Sequence, residues 1–142
     1  MKIERFEDIE AWQLARELTR QVYRLTKKPL FQKDYGLKKQ IQTAAGSVMH
    51  NIAEGFDAET NPEFIRFLRY AKRSCTEVQS ELYVALDEAY IETDEFGNIW
   101  CLSNQYELIK MHVSEDGDTT VTYMTEKNAL PDSERIHFIK YK

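Results

Sequence analysis

The chain has 142 residues, of which 42% are hydrophobic and 30% are charged, with only 3 Pro and 5 Gly. This length fits one ordinary domain with its own core, and the composition excludes a disordered chain. No apolar run approaches the roughly 20 residues that cross a bilayer, and the N-terminus lacks a secretory apolar core. Cys75 and Cys101 have no CxxC spacing. We therefore expect a cytoplasmic protein with reduced thiols and no membrane partner.

The net charge of −5 is unevenly distributed. Residues 1–91 contain 14 Lys/Arg and 14 Asp/Glu, whereas residues 92–142 contain 5 and 10, so the whole deficit lies in the second part. Eight basic residues lie between Arg16 and Lys39, against only Glu17 and Asp34. Because salt screens charges beyond about 8–10 Å, such local groups matter more to a nucleic acid than the net charge.

Two amphipathic helices are predicted in the first 57 residues, since apolar residues recur there at spacings of three and four. The first stripe is Ile9, Leu14, Ala15, Leu18, Val22 and Leu25, and the second is Leu37, Ile41, Ala44, Ala45, Val48 and Ile52. Pro29 should end the first helix. Ala44, Ala45 and Gly46 are small enough for a neighbouring helix to approach closely, and Gly55 is placed to stop the second helix in the left-handed conformation.

The third helix has the clearest start. Either Thr60 or Asn61 can be its N-cap, and with Thr60 as cap Glu63 completes a capping box. Pro62 is tolerated in the first turn. The sequence predicts a helix over residues 62–89 with a long apolar stripe: Phe67, Leu68, Ala71, Cys75, Val78, Leu82, Leu86 and Ala89.

The fourth segment admits two structures. Phe96, Ile99, Leu102, Tyr106, Ile109 and Val113 repeat at helical spacing, which favours a helix to about residue 112. The alternation of Ile109, Met111 and Val113, followed by a DG pair, instead indicates a hairpin. The tail either forms strands at 119–125 and 135–141 or packs as an extended arm. We expect an all-α, antiparallel up-down-up-down four-helix bundle over 1–113, with an extension over 114–142.

Three segments carry a family resemblance: FEDIEAWQLARELTRQVYRLTKK, YGLKKQIQTAAGSVMHNIAEGF and EFIRFLRYAKRSCTEVQSELYVALDEAYI. They are similar, in order over residues 6–111, to a bacterial family of four-helix bundles. That family includes the proteins encoded by intervening sequences of 23S ribosomal RNA genes, and the accessory variability proteins of diversity-generating retroelements are related to it.

The resemblance implies a ring-shaped homopentamer with a basic surface, no catalysis and, for the retroelement members, binding to a reverse transcriptase and nucleic acid. Two departures stand out. Gln42 and Thr43 replace a common pair of arginines, which weakens that part of a basic surface, and Met49 replaces a common proline. The resemblance gives no information on the tail.

Candidate binding residues lie on three helices. Arg66, Arg69 and Arg73 share one side of the third helix, bordered by Lys72, and Arg16, Arg20, Arg24 and Lys27 form a stripe on the first. Lys38 and Lys39 open the second helix. These residues either meet nucleic-acid phosphates or form a solvated face with local ion pairs.

The NIAEG motif also has two interpretations. Asn51 and Glu54 either make a polar contact between subunits or hydrogen-bond locally, with Gly55 ending the helix. The motif is not a phosphate loop, because it has one glycine and no GxxxxGK[ST] pattern.

Catalytic and metal-ligating patterns are absent from the sequence. His50, His112 and His137 are scattered, without HExxH or paired spacing to a cysteine. The aromatic residues occur at helical spacing, which favours core or subunit contacts over base stacking. Trp12, Ile65 and Tyr70 lie outside the main stripes and suggest burial in an oligomer.

These observations lead to one hypothesis and one alternative. We expect a non-enzymatic homo-oligomer without a cofactor or metal, which binds RNA or another nucleic acid and acts with a reverse transcriptase. The alternative is an intervening-sequence-encoded bundle that acts as a protein-interaction ring without nucleic acid.

Overall fold

The computed structural model describes residues 3–97, 109–113 and 119–123, and it confirms an all-α bundle. A 3₁₀ turn at Phe6–Asp8 precedes the helices α1 (Glu10–Leu25), α2 (Pro29–Lys33), α3 (Tyr35–Asp57) and α4 (Asn61–Asp87). Residues 93–97 are also helical. A strand β1 (Ile109–Val113) pairs antiparallel with β2 (Thr119–Tyr123).

The core forms where the predicted stripes meet. Helix α3 provides the main packing surface for both α1 and α4, so its buried residues contact a helix on each side. The stripe residues of α3 are all buried, and so are those of α1 except the half-buried Leu14. Helix periodicity therefore predicted this part of the core correctly.

The connection between α1 and α3 differs from the prediction. Pro29 does not end the first helix, which already stops at Leu25; it begins α2, where a proline loses no hydrogen bond. This short helix places Phe31 in the core with no exposed surface. Asp34 then caps α3, since its Oδ1 accepts a hydrogen bond from the Leu37 N–H at 3.0 Å.

Helix α4 begins as its local sequence predicts. Thr60 is the N-cap, and its Oγ1 accepts a hydrogen bond from the Glu63 N–H at 3.4 Å. The Thr60 hydroxyl in turn donates to the Glu63 carboxylate at 3.2 Å. The predicted cap at Thr60 is therefore present, but the Glu63 carboxylate accepts from the Thr60 hydroxyl and not from the Thr60 backbone N–H of a complete capping box. The 27 residues of α4 span about 40 Å at 1.5 Å per residue.

Helix α4 ends two residues before the predicted boundary, in a left-handed turn. Ala89 has φ of 57°, its N–H donates to the Leu86 carbonyl, and the Tyr90 N–H donates to the Ala85 carbonyl at 2.8 Å. This is the Schellman pattern, in which glycine usually occupies the left-handed position. The turn directs Tyr90 back onto the bundle, where it stacks on Phe31 with ring centroids 5.4 Å apart.

The predicted fourth helix is wrong at its C-terminal end. Residues 109–113 form β1, in the register Met111 opposite Val121, and not the last turns of a helix. This strand matches the hairpin alternative, which the alternation of apolar residues indicated. The strand predicted at 119–125 is present at Thr119–Tyr123. The strand predicted at 135–141 and Cys101 lie outside the described residues. The boundary expected between the bundle and the extension, at residue 113, separates β1 from the strand β2 with which it pairs.

Candidate nucleic-acid interface

Three arginines form an exposed row on the first half of α4. We call Arg66, Arg69 and Arg73 the corner row, because they follow the turn between α3 and α4. All three are exposed and lie opposite the buried stripe that contains Leu68 and Ala71. The predicted placement of the row on one solvent-facing side of a helix is therefore confirmed.

The positive charge of the corner row is only partly neutralised. The Arg66 guanidinium lies 3.9 Å from Glu63 Oε1 and 5.9 Å from the centre of the Phe67 ring. Within the described part of the chain, Arg69 and Arg73 make no ion pair, and neither does the exposed Lys72, one turn beyond Arg69. These side chains are available to an anionic ligand without the loss of an internal partner.

The remaining predicted cations lie on α1, in the turn that follows it, and at the start of α3. We call them the far cations: Arg20, Arg24, Lys27, Lys38 and Lys39. Arg20 lies 3.7 Å from Glu17, and Arg24 donates to the Gln21 side chain at 3.0 Å. Arg16, on the same stripe, lies over the Trp12 ring at 5.8 Å. The α1 members are exposed, whereas Lys38 is half-buried.

A hydrogen bond between α3 and α4 shows that the lysines at the start of α3 lie away from the corner row. Ser74 Oγ donates to Ser47 Oγ at 3.0 Å, which aligns the middle of α4 with the middle of α3. Arg73 and Lys39 precede these serines by one and eight residues on antiparallel helices. They are therefore displaced in opposite directions, by a total of about 14 Å along the bundle at 1.5 Å per residue. This distance exceeds the Debye length of about 8 Å at physiological salt.

The NIAEG motif connects two helices. Asn51 Nδ2 donates to the Ser47 carbonyl at 2.8 Å and to Ser47 Oγ at 3.0 Å, and Ser47 Oγ also accepts from Ser74 on α4. This arrangement matches the local interpretation of Asn51 and extends it across the α3–α4 contact. Glu54 is exposed and, among the described residues, makes no hydrogen bond or ion pair.

The role predicted for Gly55 is wrong. Gly55 lies inside α3, which continues to Asp57, so it does not end the helix. A Cβ at this position would lie 2.7 Å from Phe67 Cβ and 2.8 Å from Phe64 Cδ2. Gly55 thus permits the close approach of α3 and α4. The close approach predicted at the small residues of α3 is present at Ala45, whose carbonyl accepts from Thr19 Oγ1 of α1 at 3.1 Å. At Gly46 itself a Cβ would meet only His50, at 3.6 Å.

The aromatic and apolar residues outside the stripes have different environments. Ile65 is buried within this chain, so it gives no support for an oligomer. Trp12 is half-buried and packs edge-on against Phe6, with centroids 5.1 Å apart. Tyr70 remains 40% exposed, next to the corner row. Of the three, Tyr70 has the most surface available to a partner.

The comparisons with known proteins identify the family. Residues 7–113 match the family described as 23S rRNA-intervening sequence protein. The chain belongs to this family. The match includes all of α1, α3, α4 and β1.

A solved member of the S23 ribosomal protein family, from Bacteroides thetaiotaomicron, shares the fold of this intervening-sequence protein. The crystal structure is titled as a protein of unknown function, and it superimposes with a TM-score of 0.64 at 24% identity. The match covers 68% of this chain and 90% of the other. No curated protein matches the chain.

The described residues of this family member contain neither a metal-binding cluster nor a membrane-spanning helix. No three His, Cys, Asp or Glu side chains there are arranged to hold a metal ion. In the same part of the chain, no helix is long and apolar enough to cross a membrane.

Glu81 is a buried carboxylate that the sequence analysis missed. It is 8% exposed, and its Oε2 is buried without a hydrogen-bond partner. Burial raises the pKa of Glu81 to about 7, and the charge of Glu77 adds to the effect. The sequence contained a sign of this burial. Glu81 lies three residues after the stripe residue Val78, so the two are neighbours on the helix, and it lies four residues after Glu77.

Proposed function

We propose that this protein is a non-enzymatic nucleic-acid-binding bundle that contacts RNA phosphates through the corner row. The observation that carries the proposal is the pair Arg69 and Arg73, which are exposed on a rigid helix and have no ion-pair partner in the described part of the chain. Lysine and arginine contacts to phosphates supply the sequence-independent part of RNA affinity.

The corner row is a better candidate than the far cations. Arg20 and Arg24 already have polar partners on α1, and a phosphate would have to compete with them. The far cations are also divided between α1 and α3, whereas three arginines of the corner row lie within seven residues of one helix. A single phosphate backbone can follow such a row without a change in the fold.

We further propose that the protein acts as a homo-oligomer and, by its resemblance to retroelement accessory proteins, with a reverse transcriptase. The chain as a whole is negative, with a net charge of −5, so one corner row would bind weakly. A symmetric ring would repeat the row around its axis, and repeated weak contacts raise the overall affinity. A pentamer would have a mass of 84 kDa, five times the 16.8 kDa of one chain.

Replacing Arg66, Arg69 and Arg73 with glutamine tests the proposal. We expect RNA affinity at about 0.1 M salt to fall by an order of magnitude or more. We also expect the slope of log affinity against log salt to decrease by about 2, since each phosphate contact to a single strand contributes about 0.7. Fluorescence anisotropy with labelled RNA, repeated over a range of salt concentrations, measures both.

A matched variant controls for the loss of charge. Replacing Arg20, Arg24 and Lys27 with glutamine removes the same number of positive charges from α1 and the turn that follows it, and we expect a smaller loss of affinity. Light scattering should give the same mass for the parent and both variants, because exposed ion pairs contribute only about 0–1 kcal/mol to stability.

Four results would contradict the proposal. Equal losses in the two variants would mean that net charge, not the corner row, determines binding. If the corner-row variant binds RNA like the parent, the row is a solvated face. A parent that binds no nucleic acid even at low salt would favour the protein-interaction ring, and a parent mass of 16.8 kDa would exclude a ring of either kind.

A further inference from the structure

Tyr70 lies among the cations of the corner row. It follows Arg66 by four residues and precedes Arg73 by three, so all three side chains are neighbours on one side of α4. The residue is 40% exposed, and its hydroxyl makes no hydrogen bond within the described part of the chain. A flat aromatic surface is thus accessible between two positively charged side chains.

The Tyr70 ring is supported from below. Its centroid lies 6.0 Å from that of Phe67, with the two rings at 84° in an edge-to-face arrangement. Phe67 is itself held against α3, because Gly55 leaves only the room that the Phe67 and Phe64 side chains fill. The close helix contact at Gly55 therefore fixes the base of the Phe67 side chain, and the exposed Tyr70 ring packs against that side chain.

Other exposed tyrosines lack this combination. Tyr23 and Tyr35 lie near far cations, but in the described residues neither packs against another aromatic ring. Tyr83 packs against Phe96 at 4.9 Å, but the charged residue one turn beyond it is Asp87, which repels phosphate. Tyr70 alone among these four combines a braced ring with cations on both sides.

We infer that Tyr70 is a stacking platform for an unpaired base of single-stranded RNA, and that Arg66 and Arg73 contact the phosphates on either side of that base. The inference rests on the proposed function and specifies its ligand. In an RNA duplex the bases are paired and stacked on one another, so an aromatic side chain cannot reach their faces. Single strands and loops expose those faces, and every base has one, so the platform tolerates any sequence.

Binding to two RNAs by four single variants tests this inference. The RNAs are an unstructured 12-nucleotide strand and a 12-base-pair duplex, each measured by anisotropy at about 0.1 M salt. Tyr70→Leu removes the flat ring and should weaken binding to the strand at least about fivefold, since stacking is worth about 1–3 kcal/mol per base. Binding to the duplex should not change. Tyr70→Phe keeps the ring and should bind both RNAs like the parent.

The control for a lost exposed tyrosine is Tyr83→Leu, which should leave binding to both RNAs unchanged. Arg73→Gln removes a cation next to the platform and should weaken binding to strand and duplex alike. A loss of affinity for the single strand alone therefore indicates stacking on Tyr70, whereas a loss for both RNAs indicates a lost phosphate contact.

Two outcomes would overturn the inference while the proposed function stands. In the first, Arg73→Gln weakens binding but Tyr70→Leu has no effect, so the arginines bind the backbone alone. In the second, Tyr70→Leu lowers the mass found by light scattering, which would make Tyr70 a subunit contact. If the parent and all variants bind neither RNA, the proposed function fails first, and the inference fails with it.

Discussion

The two ends of the α3–α4 pair are held together in different ways. At the corner end, Gly55 fits beneath Phe64 and Phe67 with no room for one more carbon atom. At the far end, the Tyr90 hydroxyl donates to Asp34 at 3.2 Å, and Lys28 donates to Glu95 at 2.7 Å. Steric fit therefore stabilises the corner end, and polar contacts between segments stabilise the far end.

The far half of α4 and the turn that follows it contain two unfavourable features. Glu81 has a buried oxygen without a partner, and Ala89 has a left-handed backbone conformation in a position that suits glycine. An added atom lowers the stability of a close-packed contact, whereas the replacement of an unfavourable group can raise stability. Substitutions should therefore destabilise the corner end and can stabilise the far end.

The largest loss is expected for Gly55→Ala. The new Cβ would lie within 3.0 Å of carbon atoms in Phe67 and Phe64, so the helices must move apart or the rings must shift. Such overpacking costs about 1–3 kcal/mol, and the better helix propensity of alanine returns only about 0.5–1 kcal/mol. Urea denaturation should show a net loss of about 1–2 kcal/mol, the difference of these two effects.

Gly46→Ala is the matched control on the same helix. Its Cβ would meet only the His50 side chain, at an ordinary contact distance of 3.6 Å. Without a clash, the helix propensity gain of about 0.5–1 kcal/mol should remain. Gains of equal size in both variants would show that the corner end is not close-packed.

A pH-dependent gain is expected for Glu81→Gln. The folded-state pKa of about 7 lies above the usual value of about 4.3, so between these values the folded protein binds more protons than the unfolded chain. Stability therefore falls as pH rises through this window and stays low above pH 7. Glutamine has the same shape without the charge, and it should raise stability at pH 8 by about 1–2 kcal/mol, allowing for partial screening by water.

Urea denaturation at pH 4 and pH 8 measures this difference, which should be close to zero at the lower pH. Glu77→Gln is the control, because Glu77 is exposed and is only the second cause of the raised pKa at Glu81. Its gain at pH 8 should be smaller. A parent protein whose stability does not fall between pH 5 and pH 7 would contradict the assignment of a buried, unpaired carboxylate.

The difference between the two ends also explains what the sequence could predict. The N-cap at Thr60 and the stripes of α1 and α3 depend on residues within one or two turns, so local patterns were sufficient. The exposed corner row followed from the same periodicity. These parts of the fold and of the candidate site could be predicted without knowledge of a neighbouring helix.

Gly55 and Phe31 could not be assigned in the same way. A glycine near the end of a helical pattern is a common stop signal, and only the contact with Phe67 shows its role in packing. Phe31 lies in a short polar connector whose burial depends on Tyr90, almost sixty residues later. Helical spacing alone also does not distinguish an exposed ring such as Tyr70 from a buried one, so the sequence could not exclude a core position for it.

The smallest effect is expected for Ala89→Gly, at the end of α4. A left-handed conformation costs an alanine roughly 1–2 kcal/mol, and glycine adopts it without a steric penalty. Part of this gain is lost, because glycine has more conformational entropy than alanine in the unfolded chain. We therefore expect a net gain in stability of about 0.5–1 kcal/mol by urea denaturation, with the Tyr90 contacts retained.

The control is Ala58→Gly, since Ala58 has φ of −60° and alanine is unstrained there. That variant should lose about 0.4–1 kcal/mol. Losses of equal size at both positions would mean that the left-handed turn does not form, and that Tyr90 reaches Phe31 and Asp34 by another backbone path.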